Sequence, residues 1–283
     1  MSPVMKVNLV YTRLRTEERM IADALRARGC AVDSYADAGL VLSLDRERWG
    51  DGAPVLMRSM SFTRARYLAS ILEVKGSRVL NSAHAIATCG DKALTTLALA
   101  AKDVPMPWSF LGFEEQASVA EVDRRGYPSV TKPVTGSWGR MVARMDSKSA
   151  AEGLMSMRFE MGGASDHVAL VQQYIDKPGY DLRVYVMGKA VGGIRRRSEH
   201  WITNTARGAM PERYDVPPSH AKLAERAAEA VGGDILAVDL LETRDGKVLV
   251  NEINHCVEFA RSIEVTGIPL PELMADYVLG VLR

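Results

Sequence analysis

Two hydrophobic rhythms alternate along the chain. Apolar residues cluster or recur at every second position in Lys6–Tyr11, Val55–Arg58 and 78–81, and recur at helical spacing in 16–28, 62–73 and the long stretch 82–102. A period of two sends successive side chains to opposite faces of a strand, and a period near 3.6 gathers them on one face of a helix. The opening third therefore reads as strand–helix units forming a parallel α/β domain, with Thr16 expected to cap the first helix and Gly29 to stop it. After Val104-Pro105-Met106-Pro107 the rhythm shortens to brief strands and helices near 118–125 and 147–157, the pattern of a small α+β lid. Strands at 168–175, 181–186 and 190–196, a helix near 221–231, a hairpin and a terminal helix near 270–282 complete an α+β third part. The expected divisions are 1–88, 89–167 and 168–283.

Composition narrows the function classes. The 283 residues are 47% apolar and 25% charged, enough to bury cores in two or three small domains. Basic and acidic residues number 36 and 35, a net charge of +1, so bulk charge favours neither nucleic acid nor a membrane surface. Cys30, Cys89 and Cys256 are odd in number and form no paired spacing, which argues against a disulfide scaffold or structural zinc and for reduced thiols in a cytoplasm. No run approaches the roughly 20 apolar residues needed to span a bilayer, and the opening apolar run is too short for a secretory signal.

The strongest chemical signal lies in 235–254, where two apolar runs flank Asp245-Gly246, a pair suited to a two-residue hairpin turn. If Arg244 pairs with Lys247, Asp239 falls opposite Glu252. Directly opposed side chains have Cβ atoms about 5 Å apart, so two carboxylates there repel unless a cation neutralises them. Asn254 shares the strand face of Glu252 and adds a third hard oxygen donor, a set suited to magnesium held jointly with nucleotide phosphates. An exposed, solvated Asp/Glu pair is the alternative reading of the same spacing.

Upstream, Ser129-Val130-Thr131-Lys132-Pro133 and 141–145 read as strands joined by Gly136-Ser137-Trp138-Gly139-Arg140. Such a loop can aim backbone N–H groups at phosphate while Lys132 and Arg140 add charge, although a plain hairpin turn has the same pattern. Asp91 is placed to cap a helix whose first residue, Lys92, projects toward an anion; a surface lysine is the bland alternative. In Arg195-Arg196-Arg197, strand alternation points one arginine inward, for which we take Arg195; a solvated basic edge is the other reading.

Taken in order, Gly90-Asp91-Lys92, Lys132-Pro133, residues 136–140, Gln172-Gln173-Tyr174-Ile175, Asp181-Leu182-Arg183, Asn204-Thr205-Ala206-Arg207-Gly208, Asp239 and Asn251-Glu252-Ile253-Asn254 resemble the ATP-grasp ligases related to the ribosomal-protein glutamate ligase. Within that group, 200–208 and 254–259 resemble the aminoadipate ligases that act on the carrier protein LysW. The resemblance covers about 7–282 and implies an ATP-grasp fold: an N-terminal parallel α/β (pre-ATP-grasp) domain, a small α+β lid and a C-terminal α+β domain with the metal site. It implies that Lys92, Lys132, Gly136, Ser137, Trp138, Gly139 and Arg140 serve the ATP phosphates. Gln172, Gln173, Tyr174 and Ile175 would grip adenine and Asp181 would lie near the ribose. Asp239, Glu252 and Asn254 would hold Mg2+, two ions in all, and Arg195, Asn204 and Arg207 would face the reacting carboxylate.

The implied reaction phosphorylates the C-terminal glutamate side chain of the acidic carrier LysW, giving an acylphosphate that the amine of 2-aminoadipate attacks, as in lysine biosynthesis. A homo-oligomer, dimer or tetramer, in the cytoplasm is expected, with no nucleic acid or membrane partner. Gly208-Ala209 stands where Gly-Gly is expected and 255–257 and 262–267 depart from the aminoadipate pattern, which leaves glutamate, the substrate of arginine biosynthesis, open as an alternative or second substrate. The two amino acids differ by one methylene, worth about 1–3 kcal/mol of discrimination. A ligase extending a ribosomal protein and a non-catalytic nucleotide-binding module are the more distant alternatives.

Overall fold

In the computed structural model the described residues are 5–163, 167–203 and 208–282. Strands β1 (Lys6–Tyr11), β2 (Ala31–Ala36), β3 (Val55–Arg58) and β4 (Val79–Leu80), with helices α1 (Thr16–Ala27) and α2 (Phe62–Val74), form a four-stranded parallel sheet ordered β2-β1-β3-β4. β1 and β3 are covered on both faces, hence their apolar runs. β2 escaped the sequence reading because it is an edge strand whose residues are all partly or fully exposed. Arg15, not Thr16, occupies the cap of α1, and the Glu18 carboxylate accepts the Arg15 backbone N–H at 3.2 Å to close the first turn.

The stretch 82–102 is two helices, α3 (Ala83–Gly90) and α4 (Lys92–Ala101). Asp91 between them is extended, and its Oδ1 accepts the Ala93 and Leu94 N–H groups at 2.8 and 3.1 Å. It caps α4 as expected, at the expense of a continuous helix.

Strands β5 (Ser109–Gly112), β6 (Ser129–Lys132), β7 (Ala143–Met145) and β8 (Ala169–Gln173), with α5 (Glu115–Arg125) and α6 (Lys148–Met161), make a second sheet ordered β5-β8-β6-β7. β8 pairs antiparallel with β5 and β6, so 169–173 belongs to this sheet and not to the third part where we divided the chain. Local rhythm marks a strand but does not name its neighbour.

The third sheet, antiparallel, is ordered β11 (Met210–Tyr214), β10 (Lys189–Arg197), β9 (Tyr180–Met187), β12 (Ile235–Glu242), β13 (Val248–Asn254). Helix α7 (Pro218–Val231) packs on one face through Ala224, Ala227 and Val231. On the other, Tyr185, Phe259 and helix α9 (Leu270–Val281) share one core with Val7 and Leu9 of the N-terminal sheet and Leu25 of α1. Burying each large apolar side chain stabilises by about 1.5–3 kcal/mol, so this shared core joins the first and third sheets. Helix α8 (Ala260–Thr266) lies between β13 and α9.

The hairpin of β12 and β13 reaches the expected pairing by an unexpected route. Thr243 donates its N–H to Lys247 O at 2.9 Å and Gly246 has φ +81°, giving a three-residue loop in place of the two-residue turn with Arg244 opposite Lys247. That shifts the register by one, with Leu240 opposite Val250. A bulge at Asn251 then shifts it back, and Asp239 lies opposite Glu252.

Candidate functional site

Asp239 sits in β12, a strand buried along nearly its whole length with neighbours on both sides. A carboxylate in that position needs compensation, since an unpaired buried charge costs several kcal/mol. Arg183, directly opposite on β9, donates to it through Nε at 2.7 Å and Nη2 at 2.9 Å, and Arg196 Nη2 lies at 3.1 Å. Burial alone would push the Asp239 carboxyl up, but the two arginines outweigh it and hold it below the usual carboxylate range. Across β12, Glu252 continues the row, and Asn254 Nδ2 comes within 3.4 Å of Asp239 Oδ2.

Arg196 is the inward arginine; Arg195 is not. From the turn at Gly188, Lys189 pairs with Met187 and Ala190 with Val186, a register that would bring Arg195 opposite Asp181. A bulge between Ala190 and Gly192 advances the strand by one, so Arg196 meets Asp181 instead, in a two-pronged bond of 2.6 and 2.8 Å. Arg195 is turned to the opposite face, 4.4 Å over the Tyr180 ring and 5.8 Å over Tyr214. Asp181 also accepts from Thr203, so its carboxylate, which lines the cleft described below, holds Arg196 in place. Asn204 and Arg207, the other residues expected at the reacting carboxylate, lie outside the described residues.

A cleft runs between the second and third sheets. It is lined by Lys92, Lys132, Gly136, Ser137, Gly139, Arg140, Gln172, Gln173, Tyr174, Ile175 and Asp181 of the expected nucleotide set, together with Asp239 and Glu252. Five cationic side chains line it against three carboxylates, a surplus suited to a polyanion. Lys132 Nζ donates to Gln172 Oε1 at 2.6 Å and to Asn251 Oδ1 at 3.0 Å, so the bulge that restores the hairpin register also aims Asn251 into the cleft. Burial, aided by Lys92 and Lys177 and opposed by Glu252, brings the Lys132 ammonium down to about 8. Lys92 Nζ donates to Gly136 O at 2.6 Å and stands 3.8 Å from Glu252 Oε1.

The loop between β6 and β7 bridges two spaces. Gly136 and Gly139 take positive φ, as does Trp138 at +61°, the left-handed region that glycine enters readily and tryptophan seldom. Trp138 points away from this cleft into an adjoining cavity, which Asn254, Arg183, His255 and Glu258 also line. Gly136, Ser137, Arg196, Asp239 and Glu252 line both spaces, so the carboxylate row stands at their junction.

The sequence reading missed Lys177, Arg183, Arg196 and Asn251 as site residues. Lys177 Nζ donates to Thr203 Oγ1 at 2.6 Å, and burial, resisted by Asp181, lowers its ammonium. Arg183 shares the face of Asp181 by simple alternation, a signal that was available; Arg196 and Asn251 depend on bulges that leave no mark in the sequence.

A cleft with lysines from a helix, a strand and a connecting segment, a glycine loop beside it and opposed carboxylates along its wall is the arrangement of a nucleotide-dependent phosphoryl-transfer site. Residues 89–278 match the model of the RimK-like ATP-grasp domain, and 7–88 that of the LysX preATP-grasp domain. The chain belongs to the RimK-like ATP-grasp family. It is an ATP-dependent ligase with the ATP-grasp fold. The glutamate–LysW ligase ArgX of Sulfolobus acidocaldarius is 30% identical to it over 277 residues, covering 97% of this chain and 98% of that protein. The alpha-aminoadipate–LysW ligase LysX of Saccharolobus solfataricus is 28% identical over 265 residues, covering 93% and 96%. A crystal structure of a RimK-domain ATP-grasp protein from Sphaerobacter thermophilus superposes with a TM-score of 0.82 at 32% identity, over 97% of this chain and 100% of that one. Among the described residues, no helix of this ATP-grasp ligase is long and apolar enough to cross a membrane.

Proposed function

We propose that this ligase joins an amino acid, 2-aminoadipate or glutamate, to a LysW-type carrier protein at the expense of ATP. The observation that carries the reading is the row Arg183–Asp239–Glu252 at the junction of the phosphate-suited cleft and the second cavity. Full-length similarity to ligases of both amino acids supports either substrate, with 2-aminoadipate our first expectation from 200–208 and glutamate favoured by the ArgX likeness.

The donor set fits magnesium. Each carboxylate oxygen has about two acceptor sites, and Asp239 Oδ1 accepts from Arg183 Nε, leaving capacity for a cation shared with Glu252 and the Asn254 amide oxygen. Two ions fit the same reading. Magnesium, when bound, offsets part of the triphosphate charge. The chain's own groups do the rest. Lys92, Lys132 and the 136–140 backbone hold the phosphates, Gln172 to Ile175 form the adenine end, and Arg183 and Arg196 stabilise charge on the phosphoryl group as it moves to a carrier carboxylate. Transfer turns that carboxylate's oxygen into a leaving group, and the loop carrying Trp138 limits water that would hydrolyse the acylphosphate.

Intact-mass measurement of a LysW-type carrier incubated with enzyme, ATP, Mg2+ and one amino acid tests this. A mass gain of one residue with 2-aminoadipate or with glutamate is expected; no gain with either refutes the assignment. The oligomeric state, for which we expect a dimer or tetramer, is measured by light scattering on the same sample.

A further inference from the structure

Beyond the junction, the second cavity opens into a third, and Trp138, Arg183 and Glu258 line both. Resting on the ligase reading, we propose that this tract binds the amine substrate, with Glu258 receiving its ammonium group and Arg261 a carboxylate. The amine must approach the acylphosphate from the side opposite ATP, and the tract leads there directly from Asp239 and Glu252. Those two carboxylates belong to the cation row, which leaves Glu258 as the other acid of the second cavity.

Glu258 is held for the task from the N-terminal domain. Arg15 Nη1 donates to Glu258 Oε1 at 2.9 Å, and Arg15 is itself fixed by Glu18, bonded at 2.9 and 3.0 Å. Glu18 is fully buried and also receives Arg58 at 2.9 and 3.1 Å. A relay of two arginines and a glutamate thus locks one oxygen of Glu258, whose side chain remains 43% exposed. Among the described residues its Oε2 has no hydrogen-bond partner, and Arg261 in the third cavity has no ion pair. An acid at one point and a free cation along the same wall match an amino acid bearing an extra carboxylate, which needs one anionic and at least one cationic contact.

Glu258 also balances the protons. The ammonium gives one proton to the Glu258 carboxylate; the amine's lone pair then forms the C–N bond as the C–O bond to phosphate breaks. The phosphate leaves with that electron pair and takes the second proton, and Glu258 returns its own to water. The amide and hydrogen phosphate are the products, with charge conserved.

The test compares two nucleophiles on one acylphosphate, in full-length enzyme with carrier, ATP and Mg2+. Hydroxylamine is largely unprotonated near neutral pH and lacks carboxylates, so carrier hydroxamate formation reports acylphosphate supply alone. Glu258→Gln is expected to lower kcat/KM for the amino acid at least 100-fold while hydroxamate forms within threefold of wild type, with Glu258→Asp recovering part of the loss. Arg261→Gln is expected to raise KM for the amino acid at least tenfold with kcat little changed. Loss of both products in a Glu258→Gln enzyme that melts normally, retention of both by that enzyme, or a rise in KM for the carrier instead of the amino acid in Arg261→Gln overturns the proposal. Absence of both hydroxamate and amino-acid adduct from the wild type refutes the carrier reading on which the proposal rests, whereas adduct without hydroxamate overturns the proposal.

Discussion

Replacing Asp239 and Glu252 one at a time separates what the carboxylate row does for folding from what it does for chemistry. The Asp239 side chain is 6% exposed and binds two guanidinium groups that are themselves nearly buried. Asp239→Asn leaves Arg183 and Arg196 with Asp181 as their nearby counter-charge, and breaking a buried pair costs about 3–5 kcal/mol. At about 2–4 °C per kcal/mol, melting without ligands should fall by about 6–20 °C. Glu252 is 28% exposed and its cation, Lys92, is 3.8 Å away; such a pair is worth about 0–1 kcal/mol, so Glu252→Gln should melt within about 4 °C of wild type. Both variants should lose carrier ligation if the row holds the cation. The acid dependence follows the same logic. Because burial is outweighed by the arginines and the Asp239 carboxyl is held low, its advantage over asparagine is complete above the unfolded carboxylate pKa of about 4 and disappears as acid protonates the folded group. Calorimetry gives the melting points, and intact mass across a magnesium titration gives ligation. Normal ligation and magnesium dependence in Glu252→Gln, or an unshifted melt in Asp239→Asn, would refute the reasoning.

Three further outcomes are expected. With its ammonium brought down to about 8 by burial, Lys132 is charged below that pH, so kcat/KM for ATP should hold steady to about pH 8 and fall above it, whereas Lys132→Arg should show no such decline; matching profiles would discount Lys132 as a phosphate contact. Arg195 lies over two tyrosine rings on the far face, so Arg195→Ala should keep ligation within about threefold and cost about 0.5–1 kcal/mol in a denaturant melt, whereas Arg196→Ala should cost about 3–5 kcal/mol and most of the activity. The fully buried Tyr185 hydroxyl shares a 2.6 Å hydrogen bond with Ser262, so Tyr185→Phe should destabilise by about 1–3 kcal/mol through the stranded serine, measured by urea unfolding.

Period alone located most elements, and a loop with two glycines between strands marked the phosphate-suited segment, because these signals are local: side-chain direction, backbone freedom and helix capping each involve a few neighbouring residues. Asp239, Glu252, Lys92 and Lys132 were legible for that reason. What local pattern could not supply was anything depending on register beyond a bulge or on the partner of a strand. One extra residue near Val191 exchanged Arg195 for Arg196, and one at Asn251 cancelled a misread turn so that the predicted pair met after all. A bulge is chosen by packing across the sheet, and β8 joins the second sheet because of what lies beside it. The residue types suited to phosphoryl transfer were therefore written in the chain, whereas which arginine lines the cleft, and the relay from Glu18 to Glu258, were decided when distant strands settled against one another.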